Sequence, residues 1–494
     1  MVTMAGAGIN NGAAPIVKFG YDAVANDARR PRANPILRSE DRELQNFERR
    51  LAQCSTRDLM RNFSAVIWAV RMSVLYTSRF VFASKIGDEE IGKRYASTLD
   101  EKTAETLNRQ VEELIWEWSQ KGNLDAAGRY SLNKFMALIE TARLIDGDIG
   151  ILKLKDGTIQ PVEADRIRTS AFDGLDNNDG WTQGVKTNKA GRFMSFRVFR
   201  RSGLGGGQFE LEREINAENM ILHGYYNRFD QIRGISPLLT AANTFQDIYK
   251  SLDYALIKAK ISQMLGYKFT IDPNFSNNLG TKEEKDETTN YRTQVLKENA
   301  AFFYECNVGE NLELIDNKTP SSEFQDYMKV SIMIAMKALD IPYAMFDETT
   351  GKFYGNKSAI LQYLETAKPK RRDNIELLNQ LTRWRLNYEV ANGRLKLPRG
   401  MTANDIYFTW TPEGTTWWDD VDTLKTEIEA VKGNILPMEY FDSIRGIDTR
   451  EKIRQIAREK EWYTQAGLKH PSEQEKTVID KIETVPQNND DDDE

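Results

Sequence analysis

The stretch SEFQDYMKVSIMIAMKAL at residues 322–339 decides how this chain folds, because it predicts a helix that is apolar on two faces. One stripe contains Phe324, Met328, Ile332, Ala335 and Leu339, and the other contains Tyr327, Val330, Ile334 and Ala338. Together they span about 200° of the helix surface, whereas an ordinary surface helix has an apolar stripe of roughly 100°. Two explanations stay open: a core helix of one chain, or a helix wedged between identical neighbours in a ring.

A long helix precedes this segment. Ser236 followed by Pro237 is a strong helix start, because the Ser side chain accepts from free backbone N–H groups and Pro needs no partner there. The helix is predicted to run to Gly266, roughly 40 Å at 1.5 Å per residue. Between the two helices, residues 274–290 are polar, and residues 301–315 predict a short β hairpin around Gly309.

A third long helix is predicted over residues 358–392, with a kink at Pro369, which removes a backbone hydrogen bond. The basic run inside it, Lys368, Lys370, Arg371 and Arg372, is either a set of phosphate contacts or a solvated helix face. Residues 340–358 lack apolar periodicity, and Gly351 and Gly355 predict a loop that changes shape.

The rest of the chain predicts an α+β fold. Helical periodicity covers residues 40–75, 101–118, 131–144, 419–432, 437–445 and 449–465, and strand-like segments cover 149–154, 157–162, 193–200 and 209–215. Residues 1–35 and the acidic end, 490–494, have compositions typical of disordered termini.

Composition excludes several classes of protein. The 494 residues carry 67 Lys plus Arg against 74 Asp plus Glu, a net charge of −7 that excludes a basic coat for nucleic acid. Cys54 and Cys306 cannot build a disulfide framework or a four-cysteine zinc site, and two histidines cannot build a multi-histidine site. No stretch reaches the roughly 18 apolar residues of a membrane span. We therefore expect no metal, no cofactor and no membrane partner.

Motifs of catalysis are weak. Residues 87–94 match the spacing of a phosphate-binding P-loop, but Arg94 stands where a Ser or Thr would bind Mg²⁺. The glycines of residues 203–207 lie between two strands, which favours a hairpin loop over a dinucleotide site. A triad that uses His223 stays open, although no nucleophile is marked. Two functions stay open from the residues: a nucleotide-dependent enzyme acting on DNA, and an adaptor or scaffold that forms no ring.

Several short motifs occur in order between residues 40 and 470. They are Arg57, Leu59, Arg61 and Asn62; Asp146-Gly147-Asp148; Ala164-Asp165-Arg166-Ile167; His223, Gln231, Arg233-Gly234 and Ser236-Pro237-Leu238; Leu339-Asp340-Ile341-Pro342; and the segment 410–420. Their ordered series resembles the lambda-type portal proteins of tailed bacteriophages.

This resemblance implies a non-enzymatic, helix-rich portal fold, assembled as a cyclic ring of about twelve copies at one capsid vertex. The ring would be the channel for packaging, retaining and ejecting double-stranded DNA. It would contact the terminase large subunit, the major capsid protein and head-tail adaptors. The protein would reside in the virion, after assembly in the host cytoplasm.

The resemblance also implies a division of the chain. It gives a mobile arm (1–35), a wing (36–235), stem helices (236–266 and 322–340), a clip (267–321), a tunnel loop (341–357), a kinked wing helix with a β segment (358–414), crown helices (415–470) and an acidic tail (471–494). Lys352, Phe353, Tyr354 and Lys357 would face the DNA channel. Tyr327, Val330, Ile334 and Ala338 would pack between subunits.

Overall fold

The computed structural model describes residues 38–86, 99–169, 180–202, 208–264, 293–295, 302–304, 322–347, 353–414 and 420–471. The helices are α1 (Glu40–Glu43), α2 (Asn46–Asn62), α3 (Ser64–Thr77), α4 (Glu101–Ser119), α5 (Leu132–Asp146), α6 (Ala242–Met264), α7 (Ser322–Met336), α8 (Tyr343–Phe346), α9 (Phe353–Ala391), α10 (Asp420–Lys432), α11 (Met438–Ile444) and α12 (Thr449–Gln465). The strands are β1 (Phe80–Ser84), β2 (Asp148–Lys153), β3 (Ile159–Glu163), β4 (Trp181–Thr182), β5 (Val185–Thr187), β6 (Phe193–Ser202), β7 (Gln208–Asn216), β8 (Met220–Gly224), β9 (Thr293–Val295), β10 (Phe302–Tyr304) and β11 (Phe408–Pro412). The predicted mixture of helix and sheet is confirmed.

The strands form small antiparallel sheets. One sheet has the order β3-β2-β8, a second has the order β4-β5-β6-β7, and β1 pairs with β11. The β1–β11 pair was absent from the sequence prediction. It joins segments that are more than 300 residues apart, and the Phe82 ring stacks against Phe408 and Trp410 with centroids 5.6 and 5.0 Å away. Packing of these rings stabilises a pairing that no local pattern reveals.

Three apolar clusters form the core. The largest lies among α4, α5, β2, β3, α9 and β11. A second lies where α3, α5, α6, α7 and α9 meet, and it includes Val70, Phe245 and Tyr363. The third fills the space between the two larger sheets, around Phe196 and Val198. The second cluster buries one side of α6 and one side of α7, so only the other side of each helix is accessible to a partner.

The predicted long helices form, with altered ends. Ser236 accepts from the Leu238 N–H at 3.2 Å as expected, but a 3₁₀ turn over Pro237–Ala241 precedes α6. Helix α7 ends in a 3₁₀ turn at Lys337–Leu339, and Asp340 then adopts a left-handed conformation with φ of 60°. Pro369 lies inside α9, which runs through it without interruption.

One local prediction was wrong. The segment between Asp340 and Ser358 is not entirely loop, because it contains α8 and because α9 begins at Phe353. The helix signals fell within weakly patterned sequence, where periodicity places element ends poorly.

The predicted hairpin around Gly309 stays a prediction, because residues 305–321 lie outside the described part of the chain. The strand Phe302–Tyr304 pairs antiparallel with the preceding strand Thr293–Val295.

Among the residues described, no helix combines the length and the apolar character that spanning a bilayer requires.

Candidate assembly surface and its anchor

The two stripes of α7 have different surroundings. Met328, Ala335 and Leu339 are at most 7% exposed and belong to the second core cluster. In contrast, Tyr327 is 60% exposed, Val330 51% and Ile334 62%. Ala338 is half-buried and packs against the core. The chain therefore covers one face of α7 itself and leaves the other face apolar and exposed.

Helix α6 packs beside α7 and carries further exposed apolar side chains. They are Tyr249, Leu252, Tyr254, Leu256 and Ile257, which are between 43% and 68% exposed. Isolated exposed apolar residues are ordinary, but these eight large ones on two neighbouring helices indicate a surface that a partner covers. We call these side chains of α6, together with Tyr327, Val330 and Ile334, the stem face.

The base of α6 is fixed to the sheet and to α5. The Ser236 hydroxyl donates to the Leu144 carbonyl at 2.6 Å. Gly147 has a φ of 95°, and a Cβ on Gly234 would lie 2.2 Å from the Gly147 carbonyl oxygen. Only glycine allows this approach of two backbones. The hydrogen bond of Ser236 and the close contact between Gly147 and Gly234 therefore fix the position of the base of α6.

A buried ion pair lies at the same root. Arg233 and Asp148 have fully buried side chains, and the guanidinium Nε and Nη2 donate to the two carboxylate oxygens at 2.7 and 2.8 Å. The remaining N–H groups donate to the carbonyls of Ile167, Gln183 and Ala164 at 2.6 to 3.1 Å. Burial lowers the pKa of Arg233, but Asp148, Tyr226 and Asp41 together raise that pKa by more, so the guanidinium stays charged. A buried ion pair is tolerated when its geometry is good and when further hydrogen bonds satisfy the remaining donors, and this pair meets both conditions.

Residues of other motifs surround this pair. Arg57 donates to both oxygens of Asp146 at 2.7 and 2.6 Å, and its Nη2 also reaches Asp165 at 2.9 Å. Asp41 accepts from the backbone N–H groups of Ile232 and Arg233 at 2.7 and 3.0 Å. The sequence motifs 57–62, 146–148, 164–167 and 231–238 thus converge on one junction between α2, α5 and the base of α6. No local pattern around Asp41 in α1 predicts that its carboxylate belongs to this junction.

A second buried network contains His223. Its Nε2 lies 2.9 Å from Asn374 Oδ1, while Asn374 Nδ2 donates to Thr77 O and Glu140 Oε2 at 2.9 and 3.2 Å. The Asn amide orientation makes Nε2 the donor. Burial and the nearby Arg143 guanidinium lower the pKa of His223 to about 3. The ring is therefore neutral, and its position in the core supports the structural interpretation of this residue rather than a catalytic one.

The four cations of the basic run have different surroundings. Lys370 Nζ donates to the Leu339 carbonyl at 3.1 Å and pairs with Asp340 at 3.0 Å. Arg371 Nε donates to Tyr76 O at 2.6 Å. Lys368 pairs with Glu365 on the surface, and Arg372 is exposed. Phosphate contact by Lys370 or Arg371 would compete with these internal bonds.

Other candidate residues cannot be placed. Lys352 and the P-loop-like residues 87–94 lie outside the described residues, as do the side chains of Phe353, Tyr354 and Lys357. Within the described ranges, no group of three or more His, Cys, Asp or Glu side chains is arranged to hold a metal ion.

The exposed apolar side chains of α6 and α7 indicate that the protein assembles with a partner. Residues 27–350 match the model of a family described as phage portal protein, lambda family. The chain belongs to the lambda family of phage portal proteins, and it is a structural component of a phage virion.

The chain is also similar to individual proteins and solved structures. The chain is 22% identical over 384 residues to a probable portal protein of Halomonas phage phiHAP-1, an alignment that covers 74% of this chain and 72% of that protein. Among solved structures, the neck of an empty gene transfer agent particle, computed with C6 symmetry, is similar at a TM-score of 0.40 and 12% identity, covering 80% of this chain and 93% of that one. The neck of the native particle, computed with C12 symmetry, gives 0.39 and 12%, covering 81% and 98%.

Proposed function

We propose that this portal protein forms a closed ring of about twelve copies, in which the stem face packs between neighbouring subunits around a channel for double-stranded DNA. The observation that carries the proposal is the exposed apolar stripe of Tyr327, Val330 and Ile334, on a helix whose opposite stripe is already buried. Full burial of such a side chain contributes roughly 1.5–3 kcal/mol. A ring multiplies this contribution by the number of interfaces.

A ring, unlike a two-fold dimer, requires that the stem face of one copy meet a different surface of the next copy. Contacts of this head-to-tail kind close into rings when the rotation between neighbours divides a full turn. Family membership supports the same assembly.

The test of the ring is a charge placed on the stem face. Ile334→Glu buries an unpaired carboxylate at the interface but leaves the protomer folded, since residue 334 is 62% exposed there. We expect rings in the unmodified protein and monomers in the variant, measured by light scattering or by electron microscopy. Lys329→Glu is the control, because Lys329 is exposed on α7 and points about 140° away from Ile334. Monomers of the unmodified protein at every concentration would refute the ring.

The remaining divisions of the chain are part of the same proposal. Residues 267–321 form a clip that meets the terminase large subunit during packaging and the head-tail adaptors afterwards. Residues 36–235 and the helical part of 358–414 form the wing that faces the major capsid protein, and residues 415–470 form the crown. The ring occupies one capsid vertex after assembly in the host cytoplasm. The protein hydrolyses no nucleotide, and energy for DNA movement comes from the docked motor.

A further inference from the structure

A small cavity with polar and apolar walls lies at the junction between α2 and the base of α6. It measures about 10 Å³, which is the space that a single water molecule occupies. Its walls come from the first half of α2, the end of α5 and the turn that leads into the stem: Leu44, Arg49, Ala52, Gln53, Thr56, Ile145, Asp146, Gly234, Ile235, Ser236 and Leu239. The cavity therefore separates a wing helix from the root of the stem.

Two buried donors in this wall have no acceptor among the residues that the structure describes. They are Nη2 of Arg49 and Nε2 of Gln53, on side chains whose residues are 8% and 6% exposed. The other nitrogens of Arg49 are bound: Nε donates to Gln183 Oε1, and Nη1 donates to the Gly234 carbonyl at 2.8 Å. Buried donors of native proteins are almost always satisfied by protein or by an ordered water.

The charges around the cavity favour a neutral occupant. Arg49 and Arg57 are cationic, but Asp146 lines the cavity and Asp41 and Asp148 lie close behind it. An anion would meet the Asp146 carboxylate, whereas water can accept from both donors and donate to an oxygen in the wall. Burial and the Arg233 charge also lower the pKa of Arg49 to about 10, which shows how strongly this guanidinium is desolvated.

We propose that one ordered water molecule occupies this cavity, accepts hydrogen bonds from Arg49 Nη2 and Gln53 Nε2, and bridges α2 to the root of the stem. It complements the direct bond between Arg49 and Gly234. Such a water is an integral part of the junction. The inference concerns the folded protomer and does not depend on ring formation.

The first test is a density map of the full-length protein at a resolution that shows ordered water. We expect a peak about 2.7–3.2 Å from both nitrogens. In Gln53→Met, which keeps the side-chain length but removes one donor, the occupancy of this peak should fall at least about twofold. Gln45→Met is the control, because Gln45 is exposed and its side chain makes no capping hydrogen bond at the start of α2; the water peak should be unchanged in this variant.

The second test separates water from an anion and needs no variant. If water fills the site, the thermal unfolding midpoint is the same in chloride and in gluconate at equal ionic strength. A midpoint that rises as chloride replaces gluconate at constant ionic strength would indicate a bound halide instead, because a ligand that binds only the folded state stabilises that state. A halide, an absent peak, or a peak unaffected by Gln53→Met would each overturn the proposal.

Discussion

At the scale of single residues, Arg233 shows what the family motif does. Its side chain is fully buried, pairs with Asp148 and has carbonyl acceptors for its other N–H groups. The adjoining Gly234 approaches the Gly147 carbonyl too closely for any side chain. Ser236 then caps the turn that leads into α6. Three neighbouring residues thus neutralise a buried carboxylate, permit a backbone contact and start a helix.

Arg233→Met should destabilise the fold strongly. The substitution leaves the Asp148 carboxylate buried and unpaired, which typically costs about 3–5 kcal/mol. Chemical denaturation of the purified protein measures the change in the free energy of unfolding. Arg200→Met is the matched control, since Arg200 is 70% exposed and its pair with Glu210 is worth less than about 1 kcal/mol. Equal losses in the two variants would show that the buried pair contributes nothing special.

His223 gives a prediction about pH. Its pKa is lowered from 6.5 to about 3 in the folded protein, so between these values the unfolded chain binds a proton that the folded chain excludes. Stability from this group therefore falls as the pH drops from 6.5 towards 3, by at most about 1.4 kcal/mol per pH unit.

His223→Gln removes this titration while retaining a side-chain donor for Asn374. Denaturation series from pH 7 to pH 4 should give a shallower loss of stability for the variant than for the parent. Both proteins are first compared at pH 8, where neither side chain is charged, to obtain the cost of the substitution itself. Parallel pH profiles would mean that His223 does not titrate below its ordinary range.

At the scale of elements, α9 ties two other helices together by their C-terminal ends. Arg371 and Asn374 donate to the carbonyls of Tyr76 and Thr77 at the end of α3. Lys370 donates to the Leu339 carbonyl in the turn that ends the α7 segment. Unpaired carbonyls at helix ends carry partial negative charge, which favours cations there. The basic run therefore positions the α7 segment relative to α3.

Arg371→Met should cost about 1–2 kcal/mol in the free energy of unfolding, because it removes a charged donor from a helix end. Arg372→Met is the adjacent control; that side chain is exposed, and its loss should change stability by less than about 0.5 kcal/mol. Denaturant titrations of the two variants in parallel measure the difference. The interpretation of Arg371 as a helix tie fails if Arg372→Met is the more damaging substitution.

At the scale of the whole molecule, a net charge of −7 bears on how a ring would handle DNA. A wall that neutralised many phosphates would hold the duplex tightly, since each contact adds salt-dependent affinity. The overall acidity favours a channel in which DNA slides. The proposed exceptions are the tunnel-loop residues, which follow α7 in the chain.

Replacement of Lys352, Phe353 and Tyr354 by Ser should leave ring assembly intact and reduce the DNA packaged or retained per particle. The reason is that these side chains are proposed to touch the duplex without forming the subunit interface. Particle images and DNA quantification measure the two outcomes separately. Intact rings that package and retain DNA normally would remove any essential role for the three side chains.

Local patterns in the sequence predict the features that repeat at the spacing of a helix. They locate α12 at residues 449–465, the cap at Ser236 and the two stripes of α7, because a helix satisfies its hydrogen bonds within four residues and shows its burial as a period of 3.6. The ordered motifs predicted the family, which the family model confirms.

In contrast, tertiary packing determines which apolar stripe of α7 lies in the core of the chain and which stripe is exposed. The contacts of the motif residues also depend on tertiary structure. Arg233 forms an ion pair with Asp148, 85 positions away, and β1 pairs with β11 across most of the chain. Pairings over such distances depend on the closing of long loops and on burial contributed by other elements. A local period in the sequence carries no information about these long-range pairings. The sequence motifs therefore identified the residues but not their partners.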